Sequence, residues 1–241
     1  MNYAIIAAGE SSRLKAEGLK FPKHLIKLEG ECLIERLIRI AARNKGDQVF
    51  CIINENEPEL KKYLLNGNFG IPVKLIIKNT VSSMHSLFAL APYLMGEAFC
   101  LTTTDAVFDE HEFEEFINYS ILQNEVEGII AITRFIDDER PLCVALDKED
   151  FILKFSDSKD GYSWATGGVY FFSNKIFDEM QYALDNGIIR LRNFLRLLIN
   201  RGYLMKGFSF SKIIDVDHMS DVYKAEEYLK TLKKYKRDLE D

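Results

Sequence analysis

Short apolar runs without polar alternation constrain the fold more than any other feature of the chain. The runs lie within residues 3–8, 48–54, 72–78, 97–104 and 128–134. Strands of this composition are typical of a parallel sheet that is buried on both faces. Helical patterns at residues 31–44, 57–66 and 82–94 separate the first of these runs. The alternation predicts an α/β fold with a doubly wound, mostly parallel mixed sheet in three α/β/α layers.

The second part of the chain has a different pattern. Further strands are predicted at residues 143–147, 151–155, 161–172 and 206–211, and further helices at residues 175–186, 189–202 and 220–234. The strands at 143–147 and 151–155 resemble a hairpin, because a short polar connection joins them. Residues 109–112 resemble a capping box, in which the first and last side chains bind backbone N–H groups at the start of a helix.

Composition excludes several classes of protein. A net charge of −6 argues against a general nucleic-acid binder, which needs a basic face. The four cysteines are scattered without a C-x-x-C pattern, so zinc sites and disulfide frameworks are not expected. The N-terminus lacks the features of a signal peptide, and no apolar stretch is long enough to span a membrane. We therefore expect a cytoplasmic protein that binds neither nucleic acid nor membrane.

The segment after the first apolar run has the features of a phosphate-binding loop. Ala7, Ala8 and Gly9 are small enough for a ligand to approach the backbone, whose free N–H groups can bind phosphate. Arg13 and Lys23 bring two cations to the same region. Neither the P-loop pattern nor the complete G-x-G-x-x-G fingerprint is present. We interpret this segment as a nucleoside triphosphate site of another type.

The same residues resemble a known signature. Ala7-Ala8-Gly9, then Arg13-Leu14, then Pro22-Lys23 is similar to the motif of the sugar-1-phosphate nucleotidyltransferases and the MobA-like NTP transferases. Many members carry a second glycine where this chain has Ser11. The resemblance implies a Rossmann-like, GT-A-like nucleotidyltransferase fold. It also implies a single domain over residues 1–241, with a nucleotide-binding half at 1–135 and an acceptor-binding half at 136–241.

Two segments are candidates for binding the nucleotide. The small and hydroxyl side chains of the opening loop are Ala7, Ala8, Gly9, Ser11 and Ser12. A second polar segment precedes the helix at 82–94 and supplies Asn79, Ser82, Ser83 and Ser86. The resemblance implies that this second segment contacts the base or the ribose. The alternative is ordinary helix capping, which Ser82 or Ser83 alone would satisfy.

Three aspartates are candidate ligands for Mg²⁺. Asp105 ends a buried strand, which is where open α/β sheets carry their chemistry. Asp215 and Asp217 lie on one face of a later strand. The resemblance implies that Asp105 and Asp217 hold the metal together, with Asp215 as the substitute, although Thr104 stands where relatives have glycine. The alternatives are a turn residue at 105 and a solvent-facing edge at 215–217.

Candidates for binding the acceptor come from the strand at 161–172. The resemblance implies that its glycine end faces the acceptor, which makes Trp164, Thr166 and Gly167 candidates. A lone tryptophan is more often a core residue. Arg190 and Arg192 are also able to present charge to an acceptor, although a solvated helix face is the simpler interpretation.

The sequence predicts an enzyme that transfers a nucleotidyl group. An NTP would give its NMP group to a phosphorylated small molecule, such as a sugar 1-phosphate, and pyrophosphate would leave. Arg13, Lys23 and Asp105 are the predicted catalytic residues, with Mg²⁺ as cofactor. Alternatives are a phosphocholine-like or molybdenum-cofactor acceptor, a use of the site like that of a sugar kinase, or a relative that binds nucleotide without turnover.

Overall fold

The computed structural model describes residues 1–9 and 11–240, with side chains up to residue 235. The strands in this part of the chain are β1 (Asn2–Ala7), β2 (Lys27–Leu28), β3 (Glu31–Cys32), β4 (Gln48–Ile53), β5 (Val73–Ile77), β6 (Phe99–Thr103), β7 (Ala106–Phe108), β8 (Gly128–Thr133), β9 (Cys143–Leu146), β10 (Ile152–Ser156), β11 (Trp164–Phe172), β12 (Met205–Phe210) and β13 (Ile213–Asp215). The helices are α1 (Ser12–Ala16), α2 (Leu33–Arg43), α3 (Pro58–Asn66), α4 (Ser83–Leu94), α5 (Glu110–Ser120), α6 (Met180–Asp185), α7 (Leu191–Asn200) and α8 (Met219–Glu240), with 3₁₀ turns at Lys23–Leu25 and Asn174–Glu179.

The main sheet is mixed and confirms the predicted fold class. Its order is β10-β9-β11-β6-β1-β4-β5, and β8 pairs with both β11 and β12. The pairs β1–β4, β1–β6 and β4–β5 are parallel, whereas β11 runs antiparallel to β6, β8 and β9. The first half of the chain therefore forms the parallel side of the sheet, and β9 and β10 add the predicted antiparallel hairpin.

Alternation along the buried strands separates two core layers. Ala4 and Ile6 of β1 pack in a cluster with side chains of α4 and α7. Tyr3 and Ile5 point the other way and pack in a cluster with side chains of α2, α3 and α5. Because successive side chains of a strand face opposite sides, a continuous apolar run fills both layers. This is the physical reason why the run without alternation predicted a central strand.

Strand β11 bends at a pair of glycines, and the bend shapes the site. The pairing of β11 with β8 shifts register between Thr166 and Tyr170. A Cβ atom on Gly168, whose φ is +74°, would lie 2.5 Å from the Thr103 hydroxyl oxygen, and one on Gly167 would lie 2.2 Å from an Ile213 methyl carbon. Only glycine therefore lets β11 approach the end of β6 and strand β13 this closely.

A small antiparallel ribbon joins β7 to β13, and the sequence did not predict its first strand. Asp215 pairs with Ala106, and Ile213 pairs with Phe108. The backbone N–H of Val216 donates to the carbonyl of Asp105 at 3.0 Å. Three residues directly after a predicted strand give too short a pattern to recognise, yet they connect the two halves of the chain.

Some element boundaries differ from the predictions. The helix predicted at 31–44 begins at Leu33, after β3, and the helix predicted at 175–186 is a 3₁₀ turn followed by α6. Asp109, the first side chain of the predicted capping box, accepts from the N–H of His111 at 2.8 Å at the start of α5. Glu112 accepts from the N–H of Ser211 at 2.9 Å and so joins α5 to the segment after β12.

The cysteines Cys32, Cys51, Cys100 and Cys143 are buried free thiols. Among the described residues, no helix combines the length and the apolar composition that crossing a membrane requires.

Candidate active site

A cleft of about 720 Å³ opens where β1, β6 and β13 end, beside the first part of β11. The loop after β1 and the lysine turn at Lys23–Leu25 form one wall, and the entrance to α4 forms another. The bend of β11 and the segment after β13 complete it. The carboxyl ends of parallel strands share one edge of a sheet, so residues far apart in sequence meet here.

Three carboxylates from two distant segments meet in this cleft. Asp105 follows β6, Asp215 ends β13, and Asp217 comes two residues later; an oxygen of each lies within 4.8 Å of the others. The Asp221 side chain accepts from the backbone N–H of Asp217 at 3.2 Å and of His218 at 2.8 Å, which fixes the turn that carries Asp217. Carboxylates this close repel each other unless a cation lies between them.

Two cations from the opening motif face these carboxylates. The Lys23 Nζ lies 2.7 Å from Asp105 Oδ2 and 3.2 Å from Asp217 Oδ1, and Arg13 pairs with the other oxygen of Asp217. Burial disfavours the charge on Lys23, but the carboxylates outweigh it and raise the pKa of the ammonium. Arg13, Lys23, Asp105 and Asp217 therefore share one cleft, as the sequence predicted.

The carboxylates differ in their electrostatics. Burial acts to raise the pKa of Asp105, yet the Lys23 ammonium and its hydrogen bond hold that pKa below the usual range. The side chain of Asp215 is open to solvent through the cleft, but protein atoms surround its carboxylate on the other sides. This burial has the largest effect on the pKa of Asp215, and the charges of Asp105 and Asp217 add to it. Together they raise that pKa well above its ordinary value. Asp105 thus carries the more firmly ionised carboxylate.

The donor set of these aspartates suits a hard divalent cation. Carboxylate oxygens are the ligands that Mg²⁺ prefers in proteins, and a divalent ion would relieve the repulsion between them. Asp105, Asp215 and Asp217 are therefore chemically fit to hold such an ion.

The opening loop brings small residues to the cleft. Ala8 and Gly9 line it, Ala7 is fully buried in β1, and Ser12 begins α1 outside the lining. Ser11 has a left-handed backbone with a φ of 54°, and its buried hydroxyl has no hydrogen-bond partner among the described residues 1–9 and 11–235. A left-handed conformation favours glycine, so a serine at this position is strained.

The entrance to α4 presents hydroxyl groups to the cleft. Ser82, Ser83 and Ser86 line it, and the Ser86 hydroxyl lies 2.7 Å from that of Thr80. Ser82 also caps α4, because its oxygen accepts from the N–H of His85. Asn79 does not line the cleft: its side chain hydrogen-bonds to the backbone and the carboxylate of Glu55 at 3.0 and 3.1 Å.

Of the candidates for binding the acceptor, two line the cleft and one does not. Thr166 and Gly167 line the cleft, whereas Trp164 lies in a separate depression beside β9. The guanidinium of Arg134 lies 4.6 Å from the centre of the Trp164 ring. Arg192 does reach the cleft wall, held by the Asp157 carboxylate at 2.7 Å.

Sequence reasoning missed several residues of the cleft. Asp137, Asp138 and Glu139 follow β8 and line the end of the cleft near the start of α8. Three consecutive acidic residues after a buried strand were a usable signal. His24 lines the cleft directly after Lys23 and is fully buried, and nothing in the sequence distinguished it from a surface residue.

Comparison with known proteins supports what this geometry suggests. The family model for the MobA-like NTP transferase domain matches residues 3–196. The chain belongs to this family. The match to the MobA-like NTP transferase domain confirms the predicted resemblance and identifies the chain as a nucleotidyltransferase by family.

Relatives of this MobA-like domain have low sequence identity. The bifunctional protein GlmU of Methanocaldococcus jannaschii is 21% identical over 237 residues, which are 95% of this chain and 54% of the relative. The GlmU of Methanococcus aeolicus is 21% identical over 86% of this chain and 50% of the relative. The chain thus spans about half the length of these relatives.

Solved structures share the fold. The inositol-1-phosphate CTP transferase from T. maritima superposes with a TM-score of 0.79 at 20% identity, covering 94% of each chain. A putative glucose-1-phosphate thymidylyltransferase from Bacillus anthracis gives a TM-score of 0.81 at 17% identity, covering 95% of this chain and 94% of the other. At such identities the likeness concerns the fold alone.

Proposed function

We propose that this MobA-like domain transfers an NMP group from an NTP to a phosphorylated small molecule and releases pyrophosphate. The acceptor class is a sugar 1-phosphate or a similar phosphate monoester. The observation that carries the proposal is the meeting of Arg13 and Lys23 with Asp105 and Asp217 in one cleft. Nucleotidyl transfer needs cations for the phosphates and carboxylates for a metal at the same point.

The reaction requires positioning more than covalent help. An oxygen of the acceptor phosphate attacks the α-phosphorus, the bond from that phosphorus to the bridging oxygen breaks, and pyrophosphate leaves with the electron pair. A phosphate oxygen is already ionised at neutral pH, so no base is needed to activate it. The work left to the protein is to align both phosphates and to offset charge.

The cations of the opening motif take the phosphate roles in this proposal. Lys23 is buried and charged beside Asp105, so it is suited to donate to an α-phosphate oxygen. Arg13 is more exposed, and it faces the leaving β- and γ-phosphates, with Gly9 backbone beside it in the cleft wall. Mg²⁺ held by Asp105 and Asp217, with Asp215 alongside, would supply positive charge to the phosphate oxygens.

The remaining cleft divides between the two substrates. We assign Ser82, Ser83 and Ser86 to the base and ribose, because their segment lines the nucleotide-binding half. Thr166 and Gly167 are assigned to the acceptor. This division corresponds to a single domain with halves at residues 1–135 and 136–241.

A second acceptor class follows from the acidic segment of the cleft. Asp137, Asp138 and Glu139 place negative charge in the acceptor-binding half. Such charge favours a phosphorylated amino alcohol of the phosphocholine type over a further anion. The structural neighbours, whose names refer to inositol 1-phosphate and glucose 1-phosphate, support a hydroxylated acceptor instead.

A pyrophosphate-release assay decides between these acceptors. Each of the four common NTPs is mixed with Mg²⁺ and one acceptor: glucose 1-phosphate, inositol 1-phosphate or phosphocholine. Release that needs both an NTP and an acceptor supports the proposal, and the best acceptor identifies the class. Saturable stabilisation by an NTP without release from any pair would instead indicate a binding protein.

A further inference from the structure

The residues that follow Lys23 and precede Asp105 are joined to each other. His24 Nδ1 lies 2.7 Å from Thr104 Oγ1, beside the 2.7 Å contact of Lys23 Nζ with Asp105 Oδ2. Two adjacent residues of one segment are thus hydrogen-bonded to two adjacent residues of another. This double contact connects the lysine turn with the end of β6.

The His24 contact is fully buried, and Thr104 is anchored to β1. His24 is 0% exposed and Thr104 is 2% exposed. The Thr104 backbone and hydroxyl donors each lie 3.3 Å from the carbonyl oxygen of Ile6, the penultimate residue of β1. His24 Nε2 faces a carboxylate oxygen of buried Glu57 at 3.4 Å. Burial and then the Lys23 charge lower the pKa of His24 to about 3, so the imidazole is neutral.

We propose that His24 and Thr104 form a clasp that positions the Lys23 ammonium beside Asp105. Both clasp residues act through their neighbours and are positioning residues. A long lysine side chain has many rotamers, and fixing the backbone next to it limits the region that its ammonium can reach. The role in catalysis rests on the proposed function, whereas the positioning of Lys23 does not.

Acylation of lysines tests the positioning without any activity. The protein is treated briefly with acetic anhydride, and mass spectrometry compares Lys23 with exposed Lys20 as an internal reference. Thr104→Val removes the hydroxyl with little change of shape, so we expect Lys23 to react about fivefold faster relative to Lys20. Thr102→Val makes the same change in β6 outside the cleft lining and leaves the ratio unchanged. An unchanged ratio in Thr104→Val overturns the clasp.

Variants at residue 24 give an independent test and cover a failure of Thr104→Val to fold. Asparagine presents its amide near the position of Nδ1, whereas glutamine reaches the position of Nε2. His24→Asn therefore keeps a group beside Thr104, and His24→Gln keeps one beside Glu57. We expect Lys23 to react more slowly in His24→Asn than in His24→Gln. The opposite order, or equal rates, contradicts the clasp.

Kinetics then separate the clasp from the proposed function. Misplacement of a phosphate ligand lowers kcat, so we expect Thr104→Val to lose about tenfold to a hundredfold in kcat with less than about threefold change in the KM for NTP. Thr104→Ser restores most of the loss. An inactive wild-type protein refutes the proposed function and leaves the acylation result to decide the positioning. An active wild type with an unaffected Thr104→Val refutes the clasp alone.

Discussion

The two halves of the cleft are built differently. The first half provides parallel strands whose ends lie along one edge of the sheet, and its motif residues Arg13, Lys23 and Asp105 meet there. The second half provides β11, which runs antiparallel to its neighbours and bends at two glycines, and the later strand of a short ribbon, while β12 is parallel to β8. Of its candidates, Asp217 and Thr166 reach the cleft and Trp164 does not.

The difference shows how the direction of a strand determines which of its residues lie at the cleft. Parallel strands joined by helices all end at the same edge, so a polar residue after such a strand is already near the others. In β11 the bend at Gly167 and Gly168 decides which side chains reach the cleft. At that bend β11 approaches Thr103 and Ile213, which come from other parts of the chain, so closely that a Cβ atom would not fit.

Removing the carboxylate of the first half should have the largest effect. We expect Asp105→Asn to lower Mg²⁺-dependent turnover by about a thousandfold or more, because it removes the proposed metal ligand and the partner of Lys23. Pyrophosphate release at several Mg²⁺ concentrations measures this. Asp160→Asn, outside the cleft lining, serves as the matched control. Turnover that keeps its Mg²⁺ dependence in Asp105→Asn would mean that the metal is held elsewhere.

The lysine of the motif comes next. Lys23→Ala should reduce turnover at least about a hundredfold while NTP binding stays measurable, since an electrostatic donor of this kind contributes about 3–4 kcal/mol in the transition state. Calorimetry gives the binding and pyrophosphate release gives the rate. Lys20→Ala, an exposed lysine three residues earlier, should behave like the wild type. Near-normal turnover in Lys23→Ala would remove Lys23 from the mechanism.

The carboxylates of the second half should differ from each other. Asp217 pairs with both Arg13 and Lys23, so we expect Asp217→Asn to lower turnover by about fiftyfold. Asp215 has a raised pKa and no ion pair with these cations, so Asp215→Asn should cost about fivefold. Parallel Mg²⁺ titrations of both variants make the comparison. A larger loss in Asp215→Asn would reverse the assignment of the second metal ligand.

Two residues of β11 compare the inside of the cleft with its outside. Thr166→Val should raise the KM for the acceptor about tenfold, because a hydroxyl in the cleft wall is lost. Trp164→Phe should change it less than about twofold, since that ring stacks with Arg134 in a separate depression. Steady-state kinetics on both variants test this. An equal effect of both would mean that the bend does not separate the two positions.

The smallest effect is expected from the strained loop position. Ser11→Gly should stabilise the fold by about 1 kcal/mol, because glycine adopts the left-handed conformation without strain. Urea unfolding at equilibrium measures it, with Ser12→Gly as the neighbouring control, which should destabilise α1. A loss of stability in Ser11→Gly would show that the Ser11 side chain is needed.

Much of the fold was predictable from local patterns. The apolar runs of β1, β4 and β6 and the helical spacing of α2 and α4 reflect burial that each segment shows in its own sequence. Strand β7 was not predicted, because its partner β13 lies about a hundred residues away and supplies the hydrogen bonds. Glu112 of the predicted capping box likewise contacts Ser211, which lies 99 residues away.

The residues that meet in the candidate site were predictable where they belong to a sequence motif. The signature gave Arg13 and Lys23, and strand ends gave Asp105. Asn79 and Trp164 have suitable polar or aromatic side chains and are close in sequence to residues of the cleft. Outside the cleft, however, Asn79 contacts Glu55 and Trp164 contacts Arg134. His24 was missed because its buried contact is with a threonine eighty residues away.

The ribbon of β7 and β13 has a consequence for synthesis of the chain. Asp105 leaves the ribosome about a hundred residues before Asp215 and Asp217, and it meets them only when that late segment pairs with Ala106. Until that pairing forms, Arg13, Lys23 and Asp105 lack the two later carboxylates, so the grouping that suits a divalent ion depends on the three residue pairs of this ribbon.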